Sequence, residues 1–208
     1  MKVSASPGKR NKVHISVDGE YKFTVDGEYW YSCPWCGKPE IKGEKEKEKF
    51  YKDIGSRSVF ISALGILSYG DNSRRTLQSK LIRKGCDREH IAAALDKLEE
   101  YGYVNDARYA ANLAERLLSS KHMSRSAISQ ELIAKGVDRE LAAEAADALE
   151  FDPAEELDAL LSSKYRRYLG DEKGIKKTVA ALRRLGYGWS DIKSALDRAG
   201  VEKEDESL

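Results

Sequence analysis

The stretches LIRKGCDRE (residues 81–89) and LIAKGVDRE (residues 132–140) are nearly identical and lie 51 positions apart. The correspondence extends from residues 73–99 to residues 124–150, where about half of the positions agree, far more than chance would give. Repetition at a fixed offset is typical of chains built from tandem copies of one small unit. These two stretches therefore define a repeated unit, and its structure decides the fold.

Each copy has the sequence signals of two helices joined by a glycine elbow. A serine can cap the first helix, because its hydroxyl accepts a hydrogen bond from a first-turn amide that has no partner within the helix. A glycine ends that helix, since it adopts the left-handed conformation without a Cβ penalty, and an aspartate two residues later caps the next helix. These positions are Ser73, Gly85 and Asp87 in the first copy and Ser124, Gly136 and Asp138 in the second.

Apolar residues recur at the same helical positions of both copies, which predicts one buried face for each helix. The stretch VAALRRLGYGWSDIKSAL is a fainter third copy, in which Gly186 takes the place of Gly85. A further helical stretch precedes each copy, so each unit has three helices and about fifty residues, too few for a robust core alone. We expect the three units to stack into an elongated arc.

The first part of the chain differs, because alternating apolar residues predict strands there. Residues 13–17 and 21–25 alternate around Asp18-Gly19, a dipeptide typical of a hairpin turn that needs positive φ at both central positions. The CPWC sequence and the segment KGEKEKEKFYKD follow, and the latter indicates a mixed-charge linker or a short exposed helix. We predict a mainly α chain with these parts: a β-hairpin extension with the CPWC turn and a charged linker (1–53), three-helix repeats (54–104, 105–151 and 152–201) and an acidic tail (202–208).

Cys33 and Cys36 of the CPWC sequence permit three interpretations. Two thiols at this spacing are half of a tetrahedral zinc site, but the sequence has no second Cys or His pair to complete it. A redox dithiol is the second interpretation, although no βαβ pattern surrounds it. The third, a turn that carries reduced thiols, agrees best with a partial motif, so we expect no metal and no cofactor.

The composition favours a binding protein over an enzyme. Charged residues make up 34% of the chain, which favours exposed helical surface, and a net charge of only +1 lacks the excess of a dedicated nucleic-acid binder. No apolar run approaches the ~20 residues of a membrane span, and the polar N-terminus is unlike a secretion signal. No phosphate loop, histidine cluster or nucleophile elbow occurs in the sequence. We expect a cytoplasmic, monomeric, non-enzymatic protein without a membrane partner.

Basic residues gather on the helix before the glycine elbow in the first and third copies, whereas the second copy is closer to neutral. These basic residues are the candidate partner-binding residues. They permit three interpretations: a solvated helix face, a contact with an acidic protein groove, or a contact with a nucleic-acid backbone. Base readout by a helix-turn-helix is disfavoured, because the helices after the elbows are rich in alanine. The candidates are Arg74, Arg75, Arg83, Lys84, Arg125, Lys135, Lys176, Lys177, Arg183 and Arg184.

The stretch YGYVNDARYA (residues 101–110) resembles the RecX family of bacterial recombination regulators, which has a glycine–aromatic turn and an acidic pair where its first two repeats join. The run SRRTLQSKLIRKG (residues 73–85) is similar to the family as well, and the resemblance covers roughly residues 57–200. The front hairpin with DGEYKFTV resembles the extension of some members. Asn105 departs from the family pattern, which has an acid there, and CPWC has no counterpart in it. We interpret the following as structural residues of the repeat junctions, with the tyrosines buried against the next helix: Gly85, Tyr101, Gly102, Tyr103, Asp106, Tyr109, Gly136 and Gly186.

The resemblance implies a protein that binds RecA recombinase and the RecA–DNA filament. It also implies that binding mostly inhibits strand exchange, ATP hydrolysis and coprotease activity in DNA repair, homologous recombination and the SOS response. A row of helical units would suit a filament groove, because many weak contacts add through effective concentration. Direct DNA binding by the repeats is the alternative, and it predicts an affinity that falls steeply with salt. A redox- or zinc-responsive module at Cys33 and Cys36 is a further alternative.

Overall fold

The structure, a computed structural model, describes residues 1–201, and the predicted acidic tail (202–208) lies outside them. The strands are β1 (Val3–Pro7), β2 (Lys12–Val17) and β3 (Glu20–Asp26). The helices are α1 (Gly27–Ser32), α2 (Glu44–Leu67), α3 (Arg74–Arg83), α4 (Arg88–Glu100), α5 (Asp106–Lys121), α6 (Arg125–Ala134), α7 (Arg139–Asp147), α8 (Pro153–Ser162), a 3-10 turn (Arg166–Tyr168), α9 (Glu172–Arg184) and α10 (Trp189–Arg198). The chain divides into two bodies, residues 1–106 and the residues from 107 onward. No helix among residues 1–201 has the length and apolarity that a bilayer crossing requires.

The N-terminal strands form a three-stranded antiparallel sheet in the order β1-β2-β3, where the sequence predicts a two-stranded hairpin. The hairpin itself is confirmed, because Asp18 and Gly19 have φ values of 51° and 87°. The additional strand, β1, pairs with β2 from Val3 to Pro7 but buries only Val3. It therefore lacks the alternation of a half-buried strand, and its pairing with β2 defines it instead.

The segment predicted as a linker or short exposed helix is the first part of α2, a helix of 24 residues. Phe50 and Ile54 are fully buried there, in a core that they share with Val25, Trp30 and Trp35. The second part of α2 contributes to the core of the first three-helix unit. The predicted boundary between residues 53 and 54 thus falls within one continuous helix.

Three further hydrophobic cores confirm the predicted three-helix repeats, which are α2–α4, α5–α7 and α8–α10. Gly85, Gly136 and Gly186 form the elbows with φ values of 83°, 86° and 90°. Ser73 and Ser124 cap α3 and α6, since each hydroxyl accepts a hydrogen bond from a first-turn amide. The arc expected from stacking the units stays a prediction.

Helices α2 and α4 approach each other closely at Gly55. A Cβ at this glycine would lie 2.3 Å from the imidazole of His90, which is buried. The same imidazole packs edge-on against Phe23 of β3, with ring centres 6.5 Å apart. His90 therefore connects the sheet, α2 and α4, and only glycine leaves room for it.

Substitution Gly55→Ala is expected to lower the free energy of unfolding by about 1–3 kcal/mol, because the buried imidazole must move to admit a methyl group. Gly65→Ala is the control, since this glycine of the same helix has nothing within 4 Å of an added Cβ. The control is expected to stabilise the chain by about 0.5–1 kcal/mol through helix propensity. Urea denaturation followed by circular dichroism measures both, and equal shifts in the two variants would contradict the packing argument.

Candidate partner-binding surface

Two exposed positions on the second helix of each unit carry the charge pattern of the repeat, and we call them the stripe positions. They are eight residues apart, which places them about 12 Å apart along the helix axis and about 80° apart around it, within one broad face of the helix. The stripe positions are Arg75 and Arg83 on α3, Ser126 and Ala134 on α6, and Lys176 and Arg184 on α9. The stripe is therefore basic in the first and third units and neutral in the second.

The basic stripe positions are exposed and only weakly engaged within the chain. Arg75 and Arg83 make no ion pair with any of residues 1–201, and Lys84 is exposed beside them. On α9, Lys176 pairs with Glu172 at 2.6 Å, and Nε of Arg184 donates to a main-chain carbonyl of its own helix at 3.1 Å. Exposed pairs of this kind are worth little, so these cations are available to an anionic partner.

Helix α9 presents an almost wholly basic face. Its buried side consists of Gly174, Thr178, Val179 and Leu182. The exposed side carries Lys173, Lys176, Lys177, Arg183 and Arg184, with Glu172 and Ala180 as its other exposed residues. A shallow depression of about 380 Å³ runs between the lysines and Ala180. Four predicted candidates, Lys176, Lys177, Arg183 and Arg184, are thus brought together on one surface.

The loop before α9 adds three exposed cations that the sequence analysis did not single out: Lys164, Arg166 and Arg167. The loop is held against α9, because a Cβ at Gly174 would lie only 2.0 Å from the carbonyl oxygen of Tyr168. The guanidinium of Arg167 lies 4.8 Å from the centre of the Tyr168 ring. The sequence KYRRY (residues 164–168) already shows this cluster, because it intersperses basic residues with aromatic ones. It lies outside the repeated helix pair on which the sequence analysis concentrated.

Arg125, the first residue of α6, holds its own unit together. Its Nη2 donates to the main-chain carbonyls of Leu149 at 2.8 Å and Phe151 at 3.1 Å, and its guanidinium lies 4.5 Å from the centre of the Phe151 ring. Both carbonyls lie just beyond the end of α7. Arg125 therefore ties the start of the second helix to the end of the third.

Arg74 occupies the equivalent position on α3 and reaches the same end of its unit. It pairs with Asp96 of α4 at 2.6 Å and also with Glu99. Lys135 likewise has a carboxylate neighbour, Glu131, at 3.6 Å. Arg74 and Arg125 are therefore engaged inside their units in a way that sequence position did not indicate, and their contact with a partner stays a prediction.

The expectation that the junction tyrosines are buried is wrong for Tyr101 and Tyr103. Tyr101 and Tyr103 are 60% and 52% exposed, and both lie edge-on to Phe60, with ring centres 6.0 and 6.3 Å away. Gly102, with a φ of 71°, reverses the chain directly after α4. Only Val104, the next apolar residue, then enters the core.

Asp106 and Tyr109, the other two side chains predicted for this junction, each make a defined contact within their own body. A carboxylate oxygen of Asp106 accepts a hydrogen bond from the main-chain amide of Arg74 at 2.8 Å, so it satisfies a first-turn donor of α3. Tyr109 is partly buried against the core of α5–α7. The acid of the junction thus has a capping role in the structure.

The elbow of the third unit docks on the start of α6. The hydroxyl of Ser124 donates to the carbonyl of Gly186 at 2.8 Å, and the Ser124 amide donates to Leu185 at 2.9 Å. A Cβ at Gly186 would lie 2.5 Å from the Ser124 hydroxyl. The hydroxyl of Tyr187 donates to the carbonyl of His122 at 3.1 Å, and burial raises the pKa of Tyr187 to about 12.

Comparison with known proteins identifies the family. Residues 60–98 match the first three-helix domain of RecX, and residues 105–145 match its second three-helix domain. The regulatory protein RecX of Amycolatopsis mediterranei is 31% identical over 144 residues, which cover 66% of this chain and 82% of that protein. The chain belongs to the RecX family. The resemblance found in the sequence is thereby confirmed.

Other RecX proteins are similar over most of the chain. The regulatory protein RecX of Caldanaerobacter subterraneus subsp. tengcongensis is 29% identical over 189 residues, 91% of this chain and 94% of that protein. A crystal structure of regulatory protein RecX has a TM-score of 0.67 at 21% identity and covers 94% of this chain and 98% of its own. The crystal structure of RecX from Lactobacillus salivarius has a TM-score of 0.60 at 22% identity, over 71% of this chain and 98% of its own. At these identities, the solved structures support the fold of a RecX protein.

The thiols of Cys33 and Cys36 lie outside both matched RecX domains. Both cysteines are free and partly buried. Within residues 1–201, no group of three or more His, Cys, Asp or Glu side chains is placed to hold a metal ion. Within the described residues, Cys33 and Cys36 therefore have no further side chains beside them that would complete a zinc site.

Substitution Arg125→Ala is expected to lower the local stability of the second unit by about 1–3 kcal/mol, because it removes two hydrogen bonds from a cation and its contact with Phe151. Hydrogen exchange of the α6 and α7 amides measures this unit by itself. Arg139→Ala is the control, since Arg139 is an exposed first residue of α7 without an ion pair among residues 1–201. Exchange rates equal to those of the control would show that the contacts of Arg125 do not stabilise the second unit.

Proposed function

We propose that this chain regulates RecA recombinase by binding the RecA–DNA filament and restraining strand exchange, ATP hydrolysis and coprotease activity, without catalysing a reaction itself. Membership of a family of regulatory proteins supports a regulatory role. The observation that carries the proposal is the recurrence of a basic stripe at the same positions of two units. Such recurrence suits a partner that itself repeats.

A filament offers identical surfaces at a fixed spacing, and such a partner suits a chain that offers similar basic surfaces on its first and third units. Each basic stripe alone makes a weak, exposed electrostatic contact. Once one stripe is bound, the second binds intramolecularly at a high effective concentration, so the overall affinity exceeds that of either contact. Occupation of the filament surface then hinders subunit exchange or access of a second DNA strand, and no chemical step is needed.

The double substitutions Arg75→Ser with Arg83→Ala, and Lys176→Ser with Arg184→Ala, give α3 and α9 side chains like those of α6 at the stripe positions. Each is expected to weaken inhibition of RecA ATP hydrolysis by about tenfold, because two exposed charge contacts are lost. The variant with all four changes is expected to lose the product of the two factors.

The matched control is Ser126→Ala with Ala134→Ser, which alters the same positions on the neutral helix. It is expected to inhibit like the unmodified chain. Far-UV circular dichroism must show equal helicity in all variants, which the exposure of these residues favours. Full inhibition by the fourfold variant would remove the stripes from the proposal.

Direct binding to nucleic acid is a second candidate function, and one observation favours it. Lys164, Arg166 and Arg167 extend the basic face of α9, and Tyr168 beside them is 38% exposed. Cations that follow a backbone and an aromatic ring that stacks on a base are the two elements of single-strand binding. The chain as a whole has a net charge of only +1, so acidic residues elsewhere balance this local excess of positive charge.

Fluorescence anisotropy with a labelled single-stranded oligonucleotide, over a series of salt concentrations, tests this second function. If the loop contacts phosphates, Lys164→Gln, Arg166→Gln and Arg167→Gln together should reduce the salt slope of log affinity by about 2, since each lost single-strand contact removes about 0.7. The Ser126 and Ala134 control should leave the slope unchanged. A loop variant that binds with an unaltered slope would exclude the loop, whereas loss of DNA binding with full RecA inhibition would separate the two functions.

A further inference from the structure

The CPWC turn takes no part in the basic stripes, yet it is held in a defined geometry. Helix α1 ends at Ser32, and the main-chain amide of Cys36 donates to the carbonyl of Cys33 at 3.2 Å. Cys33, Pro34, Trp35 and Cys36 therefore form a hydrogen-bonded β-turn. Proline is favoured at the second position of such a turn, because its ring fixes φ near the required value.

The centre of the turn is anchored in the core of the N-terminal region. Trp35 is only 3% exposed, and its Nε1 donates to a carboxylate oxygen of Asp53 on α2 at 3.1 Å. Its ring also packs edge-on against Phe50, with centres 5.5 Å apart. The turn is thus fixed at its middle, and its two ends carry the cysteines.

Both cysteines of this anchored turn contact the same hydrophobic core. Cys33 and Cys36 pack against the core that contains Trp30 and Trp35, and both remain partly exposed. The Sγ of Cys33 donates weakly to the carbonyl of Trp30 at 3.1 Å. This contact is readily exchanged, because a thiol is a weak donor.

The first and fourth Cα atoms of a hydrogen-bonded β-turn lie within about 7 Å of each other. A disulfide needs about 4.4–6.8 Å between its Cα atoms. The turn therefore holds the two Cα atoms at a separation that a disulfide can span, so bond formation calls for side-chain rotation and not for rearrangement of the main chain. We propose that Cys33 and Cys36 are a redox site that forms a reversible intramolecular disulfide.

With a hydroperoxide as the oxidant, the reaction balances in two steps. The thiolate of one cysteine attacks a peroxide oxygen, which breaks the O–O bond and leaves a sulfenic acid and, for hydrogen peroxide, a hydroxide that takes up the proton released by the thiol and becomes water. The second thiol attacks the sulfenic sulfur, so that the S–S bond forms and a second water leaves. Two thiols are oxidised by two electrons, and an external dithiol returns those electrons through a mixed disulfide.

Cys86 provides an internal reference for this chemistry. It lies in the elbow between α3 and α4 and packs against the core of the first three-helix unit, whereas Cys33 and Cys36 pack against the N-terminal core. Burial raises the pKa of the Cys86 thiol, which lowers its thiolate fraction and its reactivity. Selective oxidation is therefore expected at the turn.

Closure of the disulfide has a structural consequence near Trp35. The covalent link restricts the open conformations of the turn, so the tryptophan leaves its pocket less often. The amides of α1 and of the first half of α2 should then exchange more slowly in the oxidised chain than in the reduced one. This inference is independent of any contact with RecA.

The test uses the full chain, treated with hydrogen peroxide in slight excess and then assayed for free thiols and by peptide mass spectrometry. The thiol count is expected to fall from the three cysteines of the sequence to one. The peptide that contains Cys33 and Cys36 should become lighter by two hydrogen atoms, and dithiothreitol should reverse both changes. In Cys86→Ser no free thiol should remain, whereas in Cys33→Ser no intramolecular disulfide should form.

Four outcomes would overturn the assignment. They are three remaining thiols after treatment, sulfinic acids without an S–S bond, disulfides that involve Cys86 or join two chains, and zinc in the purified protein that both cysteines are needed to retain. Hydrogen exchange of oxidised and reduced protein tests the structural consequence separately. Equal protection of α1 in the two forms would show that the disulfide leaves the turn as mobile as before.

Discussion

Each three-helix unit depends on the glycine between its second and third helices, which has a backbone conformation that is unfavourable for residues with a Cβ. Gly85, Gly136 and Gly186 have φ values between 83° and 90°, which reverse the chain so that the third helix packs back on the second. The exposed face of the second helix is set by that reversal. Since the stripe positions lie at fixed distances before the elbow, their place on the surface follows from it, whatever side chains they carry.

Local physics made the elbows, the serine caps and the Asp18-Gly19 turn predictable, because each depends on a few neighbouring residues. The predictions that the structure corrects concern features that depend on residues distant in the sequence. Strand β1 exists through its pairing with β2, and the charged start of α2 is held by two buried side chains, Phe50 and Ile54. The exposure of Tyr101 likewise depends on the path of the chain after α4.

The candidate site was predicted as a set of residue types and not as a surface. Sequence alone could place basic residues on the second helices, but it could not tell an engaged cation from an available one. Arg125 is drawn to the end of α7, whereas Arg75 on α3 has no such neighbour. Arg74, the residue of the first unit that is equivalent to Arg125, is engaged with Asp96 and Glu99 as well, so the exposed cations of α3 are those at the stripe positions.

The elbow glycines are not equally replaceable, and this has a consequence for how the copies can diverge. Nothing lies within 4 Å of an added Cβ at Gly85, so only its backbone conformation resists a side chain there. At Gly186 the same conformation coincides with contact against Ser124 and Ala127. The third repeat differs most in sequence from the other two, yet of Gly85 and Gly186 it is the third repeat's elbow glycine that leaves less room for a side chain. Divergence of sequence among tandem helical repeats therefore does not require a looser geometry.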